Sequence, residues 1–147
     1  MIKKIIKIIA ILVFIGIILL LIIQIIPYGK DHNNAPVVSE PNWDSQQTRE
    51  LAKRACFDCH SNETIWPWYS KIAPISWLVY RDVAEGRQRI NFSEWQTSNM
   101  NNAGEFSEVI NEGEMPPFLY LPMHSSARLS SVEKTQLING LANSLGR

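Results

Sequence analysis

Twenty-two residues, Ile5–Ile26, carry only two polar side chains, Lys7 and Gln24, and from Ile8 to Ile23 there is none. No other stretch limits the fold as sharply. As a helix it would run about 33 Å, enough to cross a hydrocarbon core of roughly 30 Å. Lysines precede an unbroken apolar run, which separates a transmembrane helix from a buried helix of a soluble protein. A cleaved signal peptide has a shorter apolar region and a small-x-small cleavage site. The residues that follow here are Pro27-Tyr28-Gly29-Lys30-Asp31, with no such pair. The expectation is therefore an uncleaved, single-pass anchor. Lys3, Lys4 and Lys7 keep the N-terminus in the cytoplasm and put the rest of the chain on the other side.

Charge bears on function only after those lysines are set aside. The chain has 147 residues with 14 basic and 14 acidic side chains; removing the three lysines leaves 11 against 14 beyond residue 26. That balance speaks against a nucleic-acid partner, which selects for a basic excess. Two cysteines are too few for a disulfide scaffold, and 14 aromatic residues (five Trp, four Tyr, five Phe) are too many for a disordered chain. The length allows one ordinary domain.

The expected organisation is a cytoplasmic N-terminus at 1–4, an anchor at 5–26, a polar, proline-bearing tether at 27–42 and one domain at 43–147. Within the tether His32 reads as solvated. Four helices are predicted in the domain: 45–55, capped by Asp44 or Ser45; 74–89, with Ile75, Leu78, Val79 and Val83 on one face; 103–112, with Phe106, Val109 and Ile110 inward and Gly113 as its stop; and 131–144. The last opens on a capping box of Ser130 and Glu133 and carries the stripe Val132, Leu137, Ile138, Leu141 and Leu145. Strand alternation is absent. The fold class is all-α, with long loops and a thin apolar content that calls for something else to fill the core.

Cys56-Phe57-Asp58-Cys59-His60 uses the only two cysteines of the chain and one of its three histidines. C-x-x-C-H is the spacing of covalent haem attachment. Two thiols add across the two vinyl groups of one haem, and the adjacent histidine is carried beneath the iron as axial ligand. Three alternatives are weighed: a redox C-x-x-C, which wants a βαβ setting; a zinc site, which wants a fourth ligand that the unpaired His32 and His124 do not offer; and a plain disulfide. For the sixth iron position Met115, in Gly113-Glu114-Met115-Pro116-Pro117, is the first choice, because the prolines restrict the backbone beyond it. His124 comes second, Met123 and Met100 after it, and an open position is the remaining option.

The run from Cys56 to Ser70 resembles the bacterial haem-binding domain family of c-type cytochrome relatives. The pieces Ala73–Trp77, Asn91–Trp95, Gly113–Pro117 and Leu129-Ser130 follow in the order found in that family. The similarity covers 43–147. It implies a small cytochrome c-like helical fold with one covalent haem, attached at Cys56 and Cys59 and ligated by His60, with Met115 at the place of the distal methionine. It implies little about physiological role.

Trp66, Trp68, Tyr69 and Trp77 are expected to pack on the porphyrin, Trp66 and Trp68 foremost. A backbone carbonyl near Pro67 or Pro74 is one acceptor for the free N–H of the proximal imidazole. Arg81, Arg87 and Arg89 read as a solvated helix face with propionates as the other option. Glu105, Glu108 and Glu112 read as a solvent-facing acidic stripe that would suit a basic docking partner. Asn62-Glu63-Thr64 and Asn91-Phe92-Ser93 match short glycosylation sequons and are assigned no role. The function expected is electron transfer by a membrane-anchored monohaem cytochrome on the periplasmic face of the inner membrane, exchanging with redox partner proteins. A peroxidase-like enzyme or a haem-based sensor with an open sixth position is the alternative.

Overall fold

The computed structural model describes residues 2–97 and 103–145. Met100, weighed as a distal ligand, and the side chain of Leu145 lie outside the described residues. Among the described residues six α-helices follow one another: α1 (Ile2–Ile23), α2 (Gln46–Ala55), α3 (Phe57–His60), α4 (Ile75–Arg89), α5 (Ala103–Asn111) and α6 (Ser131–Leu145), with short 3-10 turns at Trp68–Lys71, Trp95–Thr97 and Ser125–Ala127. Among the described residues there is no strand, only an isolated parallel bridge between Ser39 and Glu94. The all-α expectation holds, and the four domain helices fall within a residue of their predicted bounds.

The chain forms two compact units, residues 1–33 with 66–81 and residues 34–65 with 82–147. In the first, α1 is long and apolar enough to cross a bilayer, with a mean hydropathy of 3.3 and no buried residue. A signal sequence would satisfy the same criteria. His32 is not solvated as its setting suggests. It stacks on Trp66 at 4.3 Å and 18°, and its Nε2 is buried without a partner.

The second unit is built around Phe92. Its ring lies 5.5 Å from both Trp43 and Phe57, 5.9 Å from Trp95 and 6.3 Å from Phe106. Leu51, Ala52, Ile90, Ile110, Leu129, Leu137 and Leu141 complete this core. The caps behave as the sequence predicts. Ser45 accepts from Thr48 N at 3.2 Å. Ser130 and Glu133 bond reciprocally, with Ser130 N to Glu133 Oε2 at 2.8 Å and Glu133 N to Ser130 Oγ at 3.3 Å. Gly113 ends α5 at φ +76°, the left-handed conformation a helix stop uses.

Two stripes are only partly covered. Val83 of α4 is buried, whereas Ile75 and Leu78 are exposed; in α6 Val132 is exposed while Leu137 and Leu141 are buried. Helical spacing tells which side chains share a face and is silent on whether a neighbour covers it. Residues 36–43 run along the loop that follows α4. Val38 N donates to Ser93 O at 2.8 Å, Trp95 N to Ser39 O at 3.0 Å, and Asn62 Nδ2 to Pro36 O at 3.0 Å. The asparagines of both sequons are buried in this network, where Asn91 Nδ2 donates to Asn62 Oδ1 at 2.9 Å.

Candidate functional site

Cys56 lies between α2 and α3, with its N–H on Ala52 O at 2.8 Å, and its own carbonyl starts the next turn by accepting from His60 N at 2.9 Å. At roughly 100° per residue, positions 56, 59 and 60 fall within one arc of about 100° of that turn, while Phe57 lies about 60° beyond its His60 edge. Phe57 is indeed a core residue, 2% exposed. Burial of one ring on the inner face thus fixes the direction of both thiols and the imidazole on the outer one.

Those three side chains line a cavity of about 250 Å³ together with Met115, Asp58, Tyr120 and, from α4, Asp82, Glu85, Gly86 and Arg89. α4 reaches the motif at Gly86, where a Cβ would stand 2.4 Å from Cys59 O. The absence of that carbon lets the helix backbone touch α3. As a result Gly86 O lies 2.9 Å from His60 Nδ1, with Ile90 O at 3.3 Å. Nδ1 therefore carries the proton and donates it to these carbonyls, leaving Nε2 with its lone pair free. The acceptor lies on α4 rather than near Pro67 or Pro74. An isolated glycine inside a helical pattern often marks such a close approach, and this was the one sequence signal for it.

Electrostatics favour neutral donors. Burial lowers the His60 pKa against the opposing pull of the Ile90 and Gly86 carbonyls, so the imidazole is uncharged at neutral pH. Burial pushes both thiols up to about 12, with the negative charges of Asp58 and Asp82 adding to the effect at Cys59. A redox C-x-x-C works through the reverse shift, a lowered thiol pKa. No disulfide joins Cys56 and Cys59, and among the described residues no group of three or more His, Cys, Asp or Glu is disposed to cage a metal ion alone.

Met115 is seated by the end of α5, its N–H donating to Val109 O at 3.1 Å. The loop beyond it is pinned to the motif by Tyr120, whose hydroxyl donates to Asp58 Oδ2 at 2.6 Å. His124 stacks on Tyr120 at 3.9 Å and lies 3.7 Å from the same carboxylate oxygen. It lines a second cavity, of about 400 Å³, with Lys53, Arg54, Asp58 and Tyr120. Sequence reasoning missed the Asp58–Tyr120–His124 cluster, because 62 residues separate its first two members and no local pattern links them.

The structure thus gathers Cys56, Cys59, His60 and Met115 around one cavity. Trp66 and Trp68 are placed in the other unit, Trp66 against His32 and the 69% exposed Trp68 edge-on to Tyr69. Of the arginines, Arg89 lines the cavity. Arg87 binds Ser61 O, Thr64 Oγ1 and Asn34 Oδ1 at 2.8–2.9 Å and so fixes the chain leaving the motif. Glu105, Glu108 and Glu112 are exposed, and Met123 is 60% exposed.

No curated protein and no solved structure gives a significant match to the chain. The profile of the haem-binding domain matches residues 18–143, most of its length. The chain belongs to the haem-binding domain family, and it is a haem-binding protein.

Proposed function

We propose that the protein is a membrane-anchored monohaem c-type cytochrome that carries electrons on the periplasmic side of the inner membrane. In this reading 43–147 is the haem-binding domain, Cys56 and Cys59 would hold the haem covalently, and His60 and Met115 would ligate its iron. The observation that carries the reading is the convergence of these four side chains on one cavity, with His60 Nδ1 committed to Gly86 O.

The donor set fits haem. Both sulfurs and Nε2 leave one face of a single turn, as attachment along one porphyrin edge requires, and a neutral imidazole needs no deprotonation to ligate. Bound haem supplies reversible one-electron chemistry at iron, and a His/Met pair raises its potential. The protein contributes position. Gly86 and Ile90 orient the imidazole, the end of α5 and the Tyr120–Asp58 bond seat the thioether, and burial in the cavity limits access of water. None of these residues moves a proton, which suits a carrier better than a catalyst. His124 is already engaged with Asp58 and Tyr120, which leaves Met115 as the better sixth ligand.

Retention of α1 as an anchor is supported inside the first unit. Gln24 Nε2 donates to Ala73 O and Ala73 N donates to Gln24 Oε1, both at 2.9 Å. Cleavage after the apolar run would leave both Ala73 groups without these partners.

The test is the visible spectrum of the ferrous full-length protein, matured in a host that attaches haem c, before and after CO. A c-type spectrum that CO leaves unchanged is expected, with Met115→Ala admitting CO and lowering the potential. A wild-type spectrum shifted by CO would move the reading to an enzyme or sensor with an open site. CO-inertness retained in Met115→Ala would remove Met115 from the iron.

A further inference from the structure

We propose that the exposed apolar face of Trp68, Ile72, Ile75 and Leu78 is a docking surface for the lipid bilayer, held at the interfacial level by Gln24. It rests on the reading of α1 as a retained membrane helix and adds to it a second, peripheral contact made by the folded part of the first unit.

The four side chains are 69%, 46%, 48% and 40% exposed, large values for Trp, Ile and Leu standing together. Ile72, Ile75 and Leu78 recur every third residue as the chain enters α4, and Trp68 precedes them in the 3-10 turn. Continuity with α1 identifies the occupant. Gln24 is the single polar side chain between Ile8 and Ile26; its Nε2 donates both to Leu20 O in its own helix and to Ala73 O, and its Oε1 accepts from the N–H of Ala73, the residue between Ile72 and Pro74. An unpaired amide at this depth would be costly, and the two bonds to Ala73 remove that cost by bringing the peptide of the loop to the helix.

The chain leaving α1 is pressed on the same element. Gly29, at φ +74°, has no Cβ where one would lie 2.7 Å from Ser76 O. Tyr28 meets Tyr80 edge-on at 5.4 Å, and Lys30 Nζ donates to the Gln24 carbonyl. The end of α1, the turn at 27–30 and residues 68–80 are therefore one packed body. The depth of α1 sets the depth of the exposed face. Ile25 and Tyr28, just beyond the end of α1, are likewise 81% and 50% exposed. This region's make-up of aromatic residues, isoleucines and the exposed Lys30 and Lys71 is that of a bilayer interface, where indole and phenol rings sit at headgroup level and lysines reach phosphates.

The experiment uses the full-length holoprotein in vesicles of phosphatidylethanolamine and phosphatidylglycerol. Nitroxide labels are placed one at a time through Trp68→Cys, Ile72→Cys, Ile75→Cys and Leu78→Cys, with Leu20→Cys as the lipid reference and Val132→Cys as the aqueous one. Collision with oxygen, which partitions into lipid, is compared with collision with a water-soluble nickel chelate. The expected oxygen-to-nickel ratio at 72, 75 and 78 is several-fold above that at 132. Four label sites keep the test decisive if one variant fails to mature. In Gln24→Leu the ratio at 72 should fall toward the aqueous value while that at 20 stays put; an unchanged ratio would overturn the role of Gln24. Ratios at 68–78 equal to that at 132, with a lipid-like value at 20, would overturn the docking surface and leave the anchor standing. An aqueous but immobilised label would assign the face to a protein and overturn the proposal equally. An aqueous value at 20 would instead refute the anchor.

Discussion

Substituting Gly86 by alanine sets two known effects against each other at the point where α4 meets the C-x-x-C-H motif. In the interior of a 15-residue helix, glycine to alanine ordinarily stabilises by up to about 1 kcal/mol. Here the added carbon would lie 2.4 Å from Cys59 O, 3.0 Å from its carbonyl carbon and 3.1 Å from its Cβ. Ordinary contact begins near 3.4 Å, so the two backbones must part by about 1 Å, and neither has a flexible side chain to yield. Overpacking of this kind costs about 3 kcal/mol. The same movement stretches the 2.9 Å contact from His60 Nδ1 to Gly86 O beyond hydrogen-bond range, at about 1 kcal/mol more. The net expectation is a loss of roughly 2–3 kcal/mol. For a domain of this size that lowers Tm by roughly 10–20 °C. Thermal melts followed by circular dichroism measure it, and under the c-type reading proposed above the yield of covalent haem should fall in parallel. Gly113→Ala is the internal control. It meets no atom within 4 Å but carries the strain of φ +76°, and should cost about 1 kcal/mol. A Gly86→Ala protein as stable as wild type, or more so, with normal haem content, would refute the close approach and with it the account of how His60 is oriented.

Tyr120→Phe removes the 2.6 Å bond to Asp58 and should lower stability by about 1.5 kcal/mol in denaturant unfolding. It should also admit CO to the ferrous protein, where the wild type is expected to be inert, by loosening the loop that carries Met115; CO-inertness retained in Tyr120→Phe would separate Tyr120 from the ligand loop. Glu40 is held below its usual 4.5, first by its hydrogen bonds from Arg49 at 2.6 and 2.7 Å and then by Trp43 Nε1. Because the folded pKa is the lower one, this contribution is present above about pH 4.5 and is lost as pH falls through the folded value. Glu40→Gln should therefore be less stable at neutral pH and lose less on acidification. Parallel pH dependences for the two proteins in denaturant titrations would rule this out.

Much of the fold was legible because its causes are local. The apolar run, the cap at Ser45, the Ser130–Glu133 box and the stop at Gly113 each act within a few residues, so spacing and residue type suffice to place them. The C-x-x-C-H motif is legible for the same reason: one helical turn already puts both thiols and the imidazole on one face. What the chain does with its exposed apolar residues was not legible. Ile75 and Leu78 have the same periodicity as buried stripes elsewhere, and only the Gln24–Ala73 pairing reveals that they lie beside the end of α1.

Sequence alone therefore determined the class of the protein, the C-x-x-C-H motif and the four longer helices of the domain. Tertiary structure decided which carbonyl holds His60, that Tyr120 returns across 62 residues to Asp58, and that His32 stacks on Trp66. These are contacts between segments remote in the chain. Their partners are chosen by which backbones can approach closely, as at Gly86, and by which buried polar groups must find one another.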